Sequence, residues 1–144
     1  MRVIYHLNTG DLKNIPEEAR WAESMGYDGV STDETAHDPF LPLLLAAAAT
    51  SKVRLETRVA IAFPRSPMVV AYTAMDIQRF SSGRFRLGLG TQVKGHIQRR
   101  FSTHDLVFPV VRVVDGHVPA ALERDGECVR QDEVGDPNVV LLFF

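Results

Sequence analysis

As far as about Gly90, short runs of β-forming side chains alternate with longer runs whose apolar positions recur at helical spacing. Arg2 to Asn8 is rich in β-formers and runs into Thr9-Gly10-Asp11, which reads as a strand entering a loop. Asn14 to Gly26 reads as a helix. Pro16 suits its first turn, Glu17 and Glu18 favour the positive end of its dipole, and Gly26 suits a left-handed stop. Its predicted inward face is Ile15, Ala19, Ala22 and Met25. Tyr27 to Thr32 is a second short strand. Asp38-Pro39 then caps a helix over Phe40 to Thr50, with Pro42 still inside the first turn. That helix is apolar almost all round, so burial on more than one side is expected, by neighbouring helices or by a subunit interface.

Arg54 to Phe63 alternates Leu55, Thr57, Val59, Ile61 and Phe63 against the other face, which predicts one continuous third strand. Ser66-Pro67 opens a helix to about Phe80 with a stripe of Val69, Thr73, Asp76, Ile77 and Phe80, stopped by Ser81-Ser82-Gly83. Arg84 to Thr91 is the fourth strand. Strands therefore begin near Arg2, Gly29, Arg54 and Arg84, at intervals of roughly 25–30 residues, the size of a βαβ unit. The fold class is α/β with a parallel sheet covered by helices. An open doubly wound sheet and a barrel both fit. No Gly-rich dinucleotide fingerprint follows the first strand, which weakens the open sheet. Four units make half of a (β/α)8 TIM-type barrel, which takes about 250 residues in full.

Composition narrows the function classes. The chain has 144 residues, 45% hydrophobic and 24% charged, an ordinary soluble composition. A formal net charge of -2 argues against nucleic acid as a partner. Cys128 is the only cysteine, so no internal disulfide forms and a cytoplasmic location is expected. Met1 to Leu7 lacks the pattern of a signal peptide. The longest apolar run, Phe40 to Ala49, is short of the roughly 20 residues of a membrane span, so no membrane partner is expected.

Over residues 18 to 101 the chain resembles the luciferase-like monooxygenase superfamily, in particular its branch dependent on the deazaflavin coenzyme F-420. The segments that carry the resemblance are Ala22-Glu-Ser-Met-Gly-Tyr-Asp-Gly-Val30, Pro39-Phe-Leu-Pro42 with its Ala-rich helix, and Ala62-Phe-Pro-Arg-Ser-Pro67. Phe80 to Gly90 and Gly90 to Phe101 follow in order at family spacing. The resemblance implies a (β/α)8 barrel with its cofactor at the C-terminal strand ends, and oxidation or reduction of a small organic substrate. F-420 is the preferred cofactor and FMN the alternative. A homodimer through helices of the second and third units is a further expectation.

Candidate residues follow from these two readings together. Asn8 ends the first strand and would face the barrel mouth, or simply starts a loop. Asp33-Glu-Thr-Ala-His-Asp38 packs three carboxylates and an imidazole into one loop. The resemblance places that loop beside the cofactor ring and the substrate, which makes His37 and Glu34 candidates for cofactor contact or proton transfer. Asp38 is better explained as a helix cap. The spacing matches no metal motif, so no metal is expected. The resemblance also implies a bulge with a non-proline cis peptide at Thr57, Arg58, Val59 and Ala60, cradling the central ring; the bland reading is a plain buried strand. Gly88 and Gly90 alternate with leucines, which suggests close approach of something to the strand. The resemblance makes Thr91, Gln92 and Lys94 holders of the cofactor phosphate, whereas Arg99 and Arg100 read as a solvated helix face.

After about Phe101 the family pattern stops. Residues 1–102 are expected to form the N-terminal half-barrel and 103–144 an atypical tail, from a frameshift or a mis-called gene end, or else one that covers the open edge of the sheet. The run Val139 to Phe144 is uncharged and β-prone, a hazard unless it pairs. The competing functional reading is a non-catalytic barrel fragment or assembly piece.

Overall fold

A computed structural model describes residues 1–91, 94–101 and 139–141. Strands β1 (Ile4–His6), β2 (Gly29–Thr32), β3 (Arg54–Thr57), β4 (Ala60–Ile61), β5 (Phe85–Gly90) and β6 (Val139–Leu141) alternate with helices α1 (Ile15–Ser24), α2 (Phe40–Ala49), α3 (Pro67–Phe80) and α4 (Lys94–Phe101), β3 and β4 alone being consecutive. Every pairing is parallel. The order is β1-β2-β3-β5-β4, with β6 also on β5. The chain is thus about four β/α units of a (β/α)8-type barrel. Of the tail, only Val139–Leu141 is described, and it pairs with Leu87–Leu89.

The expected single strand from Arg54 to Phe63 is broken in two. Leu55 pairs with Phe85, and Ala60 pairs with Leu89. The advance is five residues on one side (60 − 55) and four on the other (89 − 85), so one extra residue bulges between β3 and β4. The peptide joining Arg58 to Val59 is cis. The alternation inferred from sequence holds through Leu55 and Thr57, then fails: Ala60 and Ile61 are buried in succession.

Period two divides the sheet into two faces. Tyr5, Val30, Leu55 and Phe85 lie in one cross-strand row against the helices. The next row, His6, Ser31, Glu56 and Arg86, lies on the opposite, inner face. The helix side is the core, built by Leu7, Val30, Leu55 and Phe85 against Ile15, Ala19, Leu43 and Ile77. Each fully buried leucine there contributes about 1.5–3 kcal/mol by leaving water.

On α1 the expected inward residues Ile15, Ala19 and Ala22 are buried, but Met25 is exposed at the C-cap, followed by Gly26 at φ 83°. On α3 the buried residues are Val70, Ala71, Ala74 and Ile77, while Val69 and Phe80 are exposed. Ile77 of the expected stripe is buried as expected, but the rest of the buried face lies one residue later than Val69, Thr73 and Asp76. Asp38 does cap α2, its Oδ1 accepting the N–H of Phe40 (2.8 Å) and Leu41 (3.2 Å). Ser66 makes no such bond at α3.

Candidate active site

All strands being parallel, the residues that follow them gather at one edge, the mouth of the half-barrel. Asn8 lies there after β1, exposed, its Oδ1 accepting the Gly10 N–H (3.1 Å). His37 is exposed on the β2–α2 loop and forms no hydrogen bond among the described residues. Glu34, by contrast, is buried. Its Oε2 accepts the Ile61 N–H (2.7 Å), just beyond the bulge, and its Oε1 accepts from Arg65 Nη2 (2.8 Å). Both oxygens are therefore engaged in holding loops together.

The bulge rests on β5. The Thr57 hydroxyl is buried, donating to the Gly88 carbonyl and accepting the Gly88 N–H, each at 2.8 Å. A Cβ at Gly88 would lie 2.2 Å from the Thr57 carbonyl oxygen, and one at Gly90 would lie 2.4 Å from Val59 Cγ2. What approaches these glycines so closely is the chain's own bulge. Val59 lies in neither strand, and Ala60 opens β4. Arg58 donates its backbone N–H to the Thr32 carbonyl and its Nε to Glu56 Oε2 (3.2 Å), with its side chain 56% exposed. Thr91 follows β5, half-buried. Gln92 lies outside the described residues, as does the Lys94 side chain, although Lys94 opens α4. Arg99 and Arg100 are exposed on that helix.

Three groups at the mouth were not singled out from sequence. The His6 imidazole sits on the inner face, 3.4 Å from Ser31 Oγ and 3.5 Å from Asp33 Oδ1. Arg65 bridges Glu34 and Asp38. Beneath them, Arg86 is held below the usual guanidinium range by burial and by repulsion from Arg54 and Arg2, which Glu56 partly offsets. On the helix side, the hydrogen bond to Glu18 and burial push the Tyr5 hydroxyl up. An open cleft of about 570 Å³ lies there, lined by Tyr5, Asn8, Asn14, Glu17, Glu18 and Trp21. Of the sequence candidates it contains Asn8 alone.

The mouth combines donors (Arg58, Asn8), an imidazole–carboxylate pair (His6, Asp33) and a strand whose backbone leaves the ladder at Val59. Such an edge suits a planar, polar ring laid against the bulge, so the residues present fit a flavin-type group. The model of the family described as luciferase-like monooxygenase matches residues 2–115. This chain belongs to the luciferase-like monooxygenase family.

An uncharacterised protein of Mycobacterium tuberculosis (strain ATCC 25618 / H37Rv) is 56% identical over 80 residues, covering 56% of this chain and 24% of the relative. A second protein of the same strain, provisionally named a coenzyme F-420-dependent oxidoreductase, is 35% identical over 94 residues, covering 62% and 27%. The luciferase-like chain thus spans about a quarter of the length of the curated relatives it matches. Among solved structures, the oxygenating constituent of 3,6-diketocamphane monooxygenase from Pseudomonas putida, a type II Baeyer-Villiger enzyme in complex with FMN, superposes with a TM-score of 0.59. That match covers 69% of this chain and 32% of the other at 17% identity, which speaks to fold alone.

The signals for the missed groups were present but unread. His6 stands between Tyr5 and Leu7, so strand period two alone puts it on the face opposite the core. Arg65 lies inside Phe63-Pro-Arg-Ser-Pro67, a segment that carried the family resemblance without a role of its own.

Proposed function

We propose that the mouth holds the ring of a flavin-type cofactor, F-420 in preference to FMN, and that the chain serves an oxidoreductase or monooxygenase acting on a small organic substrate. The observation that carries this reading is the bulge at Thr57–Ala60, seated on Gly88 and Gly90 at the C-terminal strand ends of a luciferase-like barrel. The relative named for coenzyme F-420 supports the preference, and the FMN-bound structural neighbour keeps the alternative. When bound, the cofactor supplies the hydride or oxygen chemistry. The chain's own part is to orient and to handle protons. The bulge and Arg58 support the ring, Thr91, Gln92 and Lys94 hold its phosphate, and His37 moves a proton at the substrate side. Glu34 holds its loop against β4. The single cysteine supports a cytoplasmic setting, and no helix among the described residues is long and apolar enough to cross a membrane. Exposed Leu41 and Leu44 on α2, with Met68 and Tyr72 on α3, support a homodimer through those helices.

The test is a fluorescence titration of the purified chain with oxidised and reduced F-420, and separately with FMN. Saturable binding, tighter for F-420, is expected. A folded sample that binds neither would overturn the reading and leave an inert barrel fragment.

A further inference from the structure

Arg65 Nη2 contacts two carboxylates of one loop, Glu34 Oε1 at 2.8 Å and Asp38 Oδ2 at 3.3 Å. Those two residues bracket Thr35 to His37. Their remaining oxygens are also engaged: Glu34 Oε2 takes the Ile61 N–H beside the bulge, and Asp38 Oδ1 takes the first amides of α2. The guanidinium lies over the Phe40 ring, 5.4 Å from its centroid, and its side chain is 21% exposed. Its Nε is buried with no hydrogen-bond partner. A site shaped for stability alone would do as well with an apolar side chain, because a buried ion pair rarely outweighs its desolvation. A guanidinium shared by two carboxylates at either end of one loop fixes the separation of those ends.

We propose that Arg65 is a positioning residue, a clamp that couples the His37 loop to the bulge and sets where His37 stands over the mouth. This rests on the reading that the mouth receives the flavin-type ring. His37 makes no hydrogen bond of its own among the described residues, so its placement comes from the backbone on either side, and Arg65 ties both sides down. One nitrogen makes both contacts. A lysine ammonium, which presents one nitrogen with three donors, can replace it in part.

The experiment compares the full chain with R65M, R65K and E34Q by amide hydrogen exchange and by F-420 and FMN fluorescence titration. In R65M, exchange at Phe40, Leu41 and Ile61 is expected to rise about tenfold or more while core amides such as Leu55 stay protected, as local opening does. Cofactor affinity falls in parallel by about tenfold, the scale of one lost charged hydrogen bond. R65K restores both to within about threefold of the native chain, because one charged donor suffices. E34Q raises exchange at Ile61 more than at Phe40 and Leu41, since Asp38 keeps its arginine. If R65M leaves those three amides as protected as before, or R65K restores nothing, the clamp is refuted. If R65M does not fold, R65K and E34Q still decide it, because each predicts a distinct pattern of exchange. Failure of the native chain to bind either cofactor would sink the cofactor reading, and the exchange pattern would still judge the clamp.

Discussion

Each end of the sheet is tied by one glutamate and one arginine, and the two sets are used differently. At the floor, Glu23 accepts the backbone N–H groups of Ser51 (3.1 Å), Lys52 (2.7 Å) and Val53 (3.0 Å). Arg84 donates all five of its N–H bonds: to the carbonyls of Ser81, Val53, Ala47 and Thr50, and to the Thr50 hydroxyl. Neither bonds the other. Both finish backbone that the end of α2 and the start of β3 leave open. At the mouth, Glu34 and Arg65 bond each other, hold a loop that bears an exposed imidazole, and leave one buried nitrogen unpaired. At the floor Arg54, which opens β3, also has a buried nitrogen without a hydrogen-bond partner, so the two ends differ in what their charges bond and not in completeness. The mouth set joins one loop to the next and leaves the His37 side chain exposed between its anchors.

The largest expected effect breaks the floor. Arg84→Met removes five hydrogen bonds, four of them to carbonyls, and is expected to lower stability by about 4 kcal/mol, read from urea unfolding. Cofactor affinity of the fraction still folded should not change. A drop there would show that the two ends are coupled and the contrast is false. Next, Gly88→Ala drives a Cβ into the Thr57 carbonyl and is expected to take away about 3 kcal/mol by overpacking, again in urea. A variant as stable as the native chain would mean that the bulge can move off β5, and the mouth would lose its support.

The smallest effect sharpens the floor. Burial pushes the Glu23 carboxyl up, but its backbone hydrogen bonds outweigh this and hold it below its ordinary value of 4.5. A carboxylate depressed in the fold contributes stability that is full above its unfolded pKa and is lost as pH falls through its folded value. Glu23→Gln should therefore cost about 1–2 kcal/mol at neutral pH and progressively less in acid. Melting temperatures of the two chains, followed downward from about pH 7, should converge below the unfolded value of 4.5. Parallel curves would place the acid sensitivity elsewhere.

Much of this was legible along the chain, for reasons that are local. Pro16, Pro67 and Asp38 mark helix starts through missing or capped N–H groups, and Gly26 and Gly83 mark stops through positive φ. The glycine pair at 88 and 90 announced a close approach but not by what: the approaching atoms come from residues about thirty positions earlier. The break between β3 and β4 escapes periodicity, because Arg54 to Phe63 alternates well enough to pass for one strand; only the family resemblance implied the bulge at Thr57–Ala60. The α3 face was misplaced because Val69 and Val70 are equal candidates by hydropathy, and only the neighbouring α2 and β5 choose between them.

The sequence by itself determined the order and kind of the elements and the family to which they belong, since periodicity, caps and stops act within a turn or two of the residue that sets them. Tertiary structure alone decided the roles of the charges. Glu34 became a tether, Arg65 a bridge and Arg84 a cap because their partners, apart from Ser81 beside Arg84, lie 27 to 37 residues away. Which carboxylate meets which backbone is settled when parallel strands bring their ends together, and no local pattern encodes that distance.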